Sequence, residues 1–248
     1  MIHYFGEKTW VELEDYKKNN AIIILPVGTT EEHGRHLPVE TDAIIAEAYG
    51  RMLGEACENS GIPALVMQTI FYGFSMSIVR KWPGCPNIST RTFADYIFDI
   101  QDSLIKMGFT KLVTLDCHGN HDCLLRMVMR EIADKHNIFT MTLSPAALSA
   151  DLYNTIKKDP SGDIHGGEWE TSCVLYLKPD LVHKTEYTNV DAIRCNGPLR
   201  GPVSTWGLQE TKTGLFGDPT HADAELGRRV LEEAVKKGVG LIKEFRKI

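Results

Sequence analysis

What most constrains this chain is a set of short, unbroken apolar runs. They are "AIIILPV" at 21–27, "IPALVMQ" at 62–68, "KLVTLDC" at 111–117 and "IFTMTL" at 138–143, and each is continuous rather than alternating. Successive side chains of a strand point to opposite faces, so a continuous run needs cover on both sides, as in a parallel sheet. Between the runs lie helical patterns. "DAIIAEAYGRMLGEACENSG" at 42–61 and "TRTFADYIFDIQDSLIKMG" at 90–108 close on a glycine, and "HDCLLRMVMREIADKHN" at 121–137 closes on basic residues and Asn. An amphipathic helix is predicted to end the chain over 223–245. Strands alternating with helices imply right-handed βαβ units. The predicted fold class is therefore α/β, a three-layer α/β/α sandwich with a mostly parallel central sheet. The 248 residues suit one domain over 1–248. Residues 145–170 and 187–220 are richer in Gly, Pro and polar residues and read as loops that cover something.

Charge and composition exclude several classes. With 27 basic against 33 acidic residues the net charge is −6, and no basic stripe suited to a phosphate backbone is present, so nucleic acid is not expected as a partner. No window approaches the ~18 uninterrupted apolar residues of a membrane span, and the N-terminus lacks a basic start followed by an apolar stretch. A soluble, cytoplasmic protein is expected. The six cysteines, at 57, 85, 117, 123, 173 and 195, form no CxxC pair and are expected to be reduced. The "NIS" at Asn87 matches a glycosylation acceptor, without other signs of secretion. "GFSMS" lacks the final glycine of a nucleophile elbow, and no phosphate-cradling GxxxxGK[ST] occurs.

The chemistry concentrates at strand ends. The first run leads into "GTTEEHGRH", with Glu31 and His33 two apart and so facing one centre in an extended loop, while Glu32 points elsewhere. The third run leads into His118, and open α/β sheets bind ligands at this carboxyl edge. Asp42 opens the first of the long helices, where its carboxylate suits the helix dipole and can reach back to the loop. "HGGEWETS" brings His165 and Glu168 to another helix start. Each acid alone reads equally as a helix cap. Together, imidazoles and carboxylates from three segments form the donor set of a zinc or manganese site, and an Asp between two such ions can bridge them for two-metal hydrolysis.

"LPVGTTEEHGRHLPVETDA" at 25–43, "CHGNHD", "HGGEWETS" and the closing "GDPTHADAELGRRVLEEAV" resemble the creatininase (creatinine amidohydrolase) family across nearly the whole chain. The resemblance implies a three-layer α/β/α fold, a dinuclear Zn or Mn centre, hydrolysis of an amide-like bond and a homo-oligomer, frequently a hexamer. Matched motif by motif, it implies Glu31, His33, Asp42 as the bridge and His118 as metal ligands. For the remaining ligand the family offers two solutions: a Glu two residues after the second motif's histidine, which is Asn120 here, or the Glu of "HGGE", Glu168. Asn is a poor anionic ligand, so Glu168 is expected. His165 matches the histidine that passes a proton to the leaving nitrogen.

Departures from the family pattern bear on the substrate. Because Asn120 replaces an acid, creatinine is expected to be a poor substrate. The segment "YGFSMSIVRKWPGCPNIS" occupies the place of the family's substrate loop without its usual wording, and within it Ser77 approximates a substrate-contacting position. Trp82, Trp169 and Trp206 sit in Gly/Pro-rich stretches and are expected to serve packing, with substrate-binding as the wall of a pocket the alternative for Trp169, beside Glu168. His36 matches a family histidine and is expected to orient the loop or a ligand rather than to ligate. His3, His136, His183 and His221 lie at termini or helix ends, where surface histidines are common. The expected reaction is attack on the carbonyl of a cyclic or linear amide by a hydroxide held by two divalent ions. The rivals are hydrolytic carbon–carbon ring opening of a keto-inositol of the 3-dehydro-scyllo-inosose type, and a metal-dependent binding module without turnover, which would not need His165.

Overall fold

A computed structural model describes residues 2–159, 165–187 and 211–248. Four parallel strands, β1 (Ile22–Val27), β2 (Ala64–Val66), β3 (Lys111–Asp116) and β4 (Met141–Leu143), form a sheet in the order β2-β1-β3-β4. The helices are α1 (Trp10–Lys18), α2 (Thr41–Asn59), α3 (Thr90–Lys106), α4 (Asp122–His136), α5 (Pro145–Ile156), α6 (Glu168–Leu177) and α7 (Ala224–Phe245).

The unbroken apolar run of β1 is buried throughout, and its side chains divide between the two faces of the sheet. Ile22 and Ile24 pack with Tyr49 and Leu53 of α2 and with Ala234 and Ile242 of α7. Leu25 and Val27 pack with Phe93 and Ile97 of α3 and with Leu125 and Val128 of α4. Covering a twisted parallel sheet on both faces is the three-layer arrangement that continuous strands demand. Pro26 is tolerated in this central strand for a local reason. Its carbonyl accepts from Ile70 N–H at 2.9 Å, so its backbone faces the side on which β2 has already ended, and no ladder donor is missing there. No helix among the described residues is long and apolar enough to cross a membrane. The described cysteines are free thiols, and Cys195 and Trp206 lie outside the described residues.

Three helices depart from the sequence reading. α1 had a legible signal, a capping box of Thr9 and Glu12, but it buries no residue and so carries no strong apolar stripe. α5 occupies a stretch expected to be loop. Ser144 caps it, accepting from Ala147 N–H at 3.4 Å, and Pro145 sits at its first position, where a missing donor costs nothing. α6 begins at Glu168, inside the same expected loop but at the helix start anticipated for "HGGEWETS".

The end of β1 meets the start of α2 at van der Waals contact. A Cβ on Gly28 would lie 2.6 Å from Ala43 N, against the backbone that carries Asp42. Gly28→Ala should therefore destabilise the protein by about 1–3 kcal/mol in denaturant unfolding. Gly240→Ala in α7, where a Cβ meets nothing within 4 Å, should instead raise stability by up to about 1 kcal/mol.

Candidate metal centre

Parallel pairing sets the site. Val27 of β1 is in register with Asp116 of β3, so Glu31 and His33 leave the sheet beside His118. Asp42, in the first turn of α2, sits between them, and all four side chains are buried. One Asp42 oxygen, Oδ1, is 3.1 Å from His33 Nε2, and the other, Oδ2, is 2.8 Å from His118 Nδ1. His118 Nδ1 is also 3.6 Å from Glu31 Oε1.

The donor chemistry calls for cations. Both Glu31 carboxylate oxygens are buried and accept no hydrogen bond. The Nδ1–H of His33 donates to the Glu31 carbonyl at 3.0 Å, so in the neutral ring the lone pair of Nε2 faces Asp42 Oδ1 and, at 3.9 Å, Glu170 Oε1. Acceptors facing acceptors in a buried site need a shared proton or a metal ion. Burial works against a charged ring at His118, yet Glu31 and Asp42 hold its pKa up at about 9. His33 is likewise raised against the effect of burial, chiefly by Asp42 and Glu170. The two histidines on either side push Asp42 well below the usual carboxylate range despite its burial. The raised proton affinities measure how strongly the cluster attracts positive charge.

Two ligand groups share Asp42: Glu31, Asp42 and His118 on one side, and His33, Asp42 and Glu170 on the other. Glu170 was not among the residues singled out from the sequence. Glu168 does not turn toward the cluster. Its carboxylate accepts from Lys158 N–H at 3.0 Å on each oxygen and from Asp159 N–H at 2.8 Å. Both acids lie in the first turn of α6, and residues two apart on a helix diverge by about 200°, so only one can face a given centre. Glu168, expected from the sequence to complete the ligand set, thus faces the backbone after α5, and Glu170 is the acid of α6 that faces His33 and Asp42.

His165 lies against the cluster, its ring centroid 4.2 Å from that of His33. Its Nε2 donates to the Glu32 carbonyl at 2.5 Å, which leaves Nδ1 facing Glu31 Oε1 at 3.5 Å. Glu31, His33 and His165 form a third possible ligand group. The Asn120 amide lies 3.4 Å from His118 Nε2, the ring nitrogen other than the one that faces Asp42, and so braces that ring. His36 Nε2 donates to Thr171 Oγ1 at 2.9 Å, and Thr171 in turn donates to the Gly166 carbonyl at 3.2 Å. Burial holds His36 neutral, down at about 4, so it braces the turn that carries Glu170.

A cavity of about 370 Å³ opens beside His118 and Glu170, and Trp169 is one of its lining residues. The Trp169 indole N–H donates to Ser149 Oγ at 3.2 Å, which locks the ring against α5. Ser77 is exposed on the loop after β2 and does not line this cavity.

The creatininase family model, described as creatinine amidohydrolase, matches residues 6–242. The chain belongs to the creatininase family. Among creatininase-family relatives, the creatinine amidohydrolase of Pseudomonas putida is 26% identical over 97% of this chain and 96% of its own. The mycofactocin precursor peptide peptidase of Mycolicibacterium smegmatis is 27% identical over 91% of this chain and 85% of its own. The 3-dehydro-scyllo-inosose hydrolase of Thermotoga maritima is 27% identical over 73% of this chain and 58% of its own. A solved candidate creatinine amidohydrolase of Bacteroides fragilis superposes with a TM-score of 0.85, at 26% identity over 98% of this chain and 96% of that one. Two creatininase structures, a Mn form and a Zn–Zn form, superpose at 0.82 and 0.81, each 25% identical over 98% of both chains.

Because His118 holds its proton up to about 9, a metal ion must displace that proton at neutral pH. Zn²⁺ titrated into chelator-treated protein at pH 7 should release at least one proton, read from calorimetric heats in buffers of different ionisation enthalpy. Apparent affinity should fall as pH is lowered from 9 to 6. Binding without proton release would show that His118 is not a ligand.

Proposed function

We propose that this creatininase-family hydrolase holds two divalent ions, Zn or Mn, around Asp42 and cuts an amide-type C–N bond. The single observation that carries the reading is the Asp42 carboxylate, which presents one oxygen to each of two ligand groups while the Glu31 oxygens beside it accept no hydrogen bond. Glu31, Asp42 and His118 would hold one ion, and His33, Asp42 and Glu170 the other. Ions bound there supply Lewis acidity toward a carbonyl and lower the pKa of water at the site.

The remaining chemistry belongs to the protein's own side chains. With Nε2–H tied to the Glu32 carbonyl, His165 has its ring orientation set and only Nδ1 left to work. Burial and His33 lower its proton affinity, but Glu32, Glu31 and Glu170 raise it further, so Nδ1 is able to carry a proton and hand it to a leaving nitrogen. Trp169 and Tyr153, with Pro145, Ala146 and Ala150, supply the apolar wall of the adjoining cavity and would exclude water from a bound substrate. Amide cleavage is favoured by two relatives that cover most of this chain, an amidohydrolase and a peptidase. Ring opening of a keto-inositol is the second reading, supported by the Thermotoga relative. Asn120 sits against His118 where an acid was weighed as a ligand, which supports a pocket built for something other than creatinine.

Elemental analysis of protein purified without chelator should give close to two ions per chain. Asp42→Ala should lose both and Glu170→Ala one, whereas Glu168→Ala should keep both. A fully active metal-free preparation overturns the reading. His165→Ala should lower kcat by about 10²–10⁴-fold with metal content intact. Loss of an ion with that substitution would make His165 a ligand instead. On a panel assayed with metal-loaded enzyme, creatinine should be turned over far more slowly than the best linear or cyclic amide. Should a polyhydroxylated cyclic ketone outpace every amide, the second reading replaces the first.

A further inference from the structure

The cavity beside the candidate metal centre contains a lysine that pairs with no carboxylate among the described residues. Lys157, the residue that ends α5, lines it with Tyr153 and Asn154 on one hand and His118, Glu170 and Trp169 on the other. Its Nζ lies 5.8 Å from the centroid of the Tyr153 ring, and it forms no ion pair with a carboxylate among the described residues. The acids of the same cavity are engaged elsewhere. Asp116 Oδ1 accepts from His118 N–H at 3.2 Å, and Glu170 Oε2 accepts from Gly166 N–H at 2.6 Å while its other oxygen faces His33.

The segment carrying Lys157 is held in place from below. Immediately after it, Lys158 and Asp159 donate their backbone N–H groups to the buried carboxylate of Glu168, and an Asp159 carboxylate oxygen accepts from Asp218 N–H at 3.2 Å. A buried carboxylate spends much of its hydration to sit there, and charge-assisted bonds to backbone N–H groups are its compensation. Glu168 therefore fixes where α5 ends. Lys157, next in the chain, carries its Nζ over the Tyr153 ring and lines the cavity. A lysine pinned at its backbone and stacked on an aromatic face has lost much of the freedom that makes surface lysines weak binders.

We propose that this cavity selects substrates that carry a carboxylate, which pairs with the Lys157 ammonium while the reacting carbonyl lies at the metal centre, and that Glu168 is the positioning residue for Lys157. The inference rests on the metal-centre reading above and adds the substrate class to it. An anionic group bound at Lys157 would orient the substrate along the cavity, with Trp169 and Tyr153 against its apolar body. It would also keep the anion from occupying the metal ligand positions.

The test uses the monoamides of succinic, glutaric and adipic acids, each with one carboxylate and one amide, against the corresponding neutral diamides. Calorimetric titration into the metal-loaded protein should show at least one monoamide bound about tenfold or more tightly than its diamide, the worth of one charge-assisted bond. Lys157→Met should remove that preference, with diamide affinity and metal content unchanged. Glu168→Gln should weaken monoamide binding several-fold with both ions retained. Equal binding of monoamide and diamide, no detectable monoamide binding, or a preference that survives Lys157→Met overturns the proposal, the last because the anion would then sit on the metals. Loss of an ion in Glu168→Gln overturns the positioning role. Since binding is read directly, a failure of hydrolysis across the panel would count against the reaction and leave the carboxylate preference separately measured.

Discussion

The site depends on one carboxylate shared between two imidazoles. Asp42 places Oδ1 against His33 and Oδ2 against His118, and every other feature of the centre is arranged so that it can do so. β1 and β3 pair in register, which brings the two histidines to the same sheet edge. Gly28 lets the start of α2 press against the end of β1, which brings the aspartate between them. The dipole of a 19-residue helix then favours the negative charge at that end.

Such a cluster is costly in isolation. Several carboxylates are buried together, and the Glu31 oxygens have no donor at all. Burying an ionised acid without a partner costs several kcal/mol, so the fold tolerates this arrangement only if positive charge is drawn into it. Raised proton affinities at His33 and His118 are one form of that response, and divalent ions are the stronger one. The same ions would couple the stability of the strand ends to the site, because their ligands come from the β1 loop, α2, the β3 end and α6.

The two acids of "HGGEWETS" show how a short motif divides its labour. On a helix their side chains diverge, and the turn braced by His36 and Thr171 sends Glu170 to the cluster and Glu168 to the backbone after α5. One acid thereby faces the buried cluster while the other holds the backbone that follows α5 beside the neighbouring cavity. His165, in the same motif, is held by the Glu32 carbonyl, so the loop after β1 orients the group proposed to move the proton.

The sequence by itself determined the layers and most of the cluster. Unbroken apolar runs require cover on both faces, and the helical periods between them supply it, so the parallel sheet and the sides of β1 were legible without coordinates. Glu31, His33, Asp42 and His118 were legible too, because strand ends and helix starts position side chains by local geometry. Tertiary structure alone decided the rest. The strands β2 and β4 pair over only three residues each, so they are shorter than their apolar runs, a length that no local pattern states. α5 was hidden because Ser, Pro and Ala in its first turn look like loop composition until a cap is seen to form. Which acid of α6 faces the cluster, and that Lys157 and Trp169 line one cavity, depend on how α5 and α6 are rotated against the sheet. That rotation comes from the packing of Tyr153, Trp169 and Cys173 with α7, contacts between residues far apart in the chain that no local pattern records.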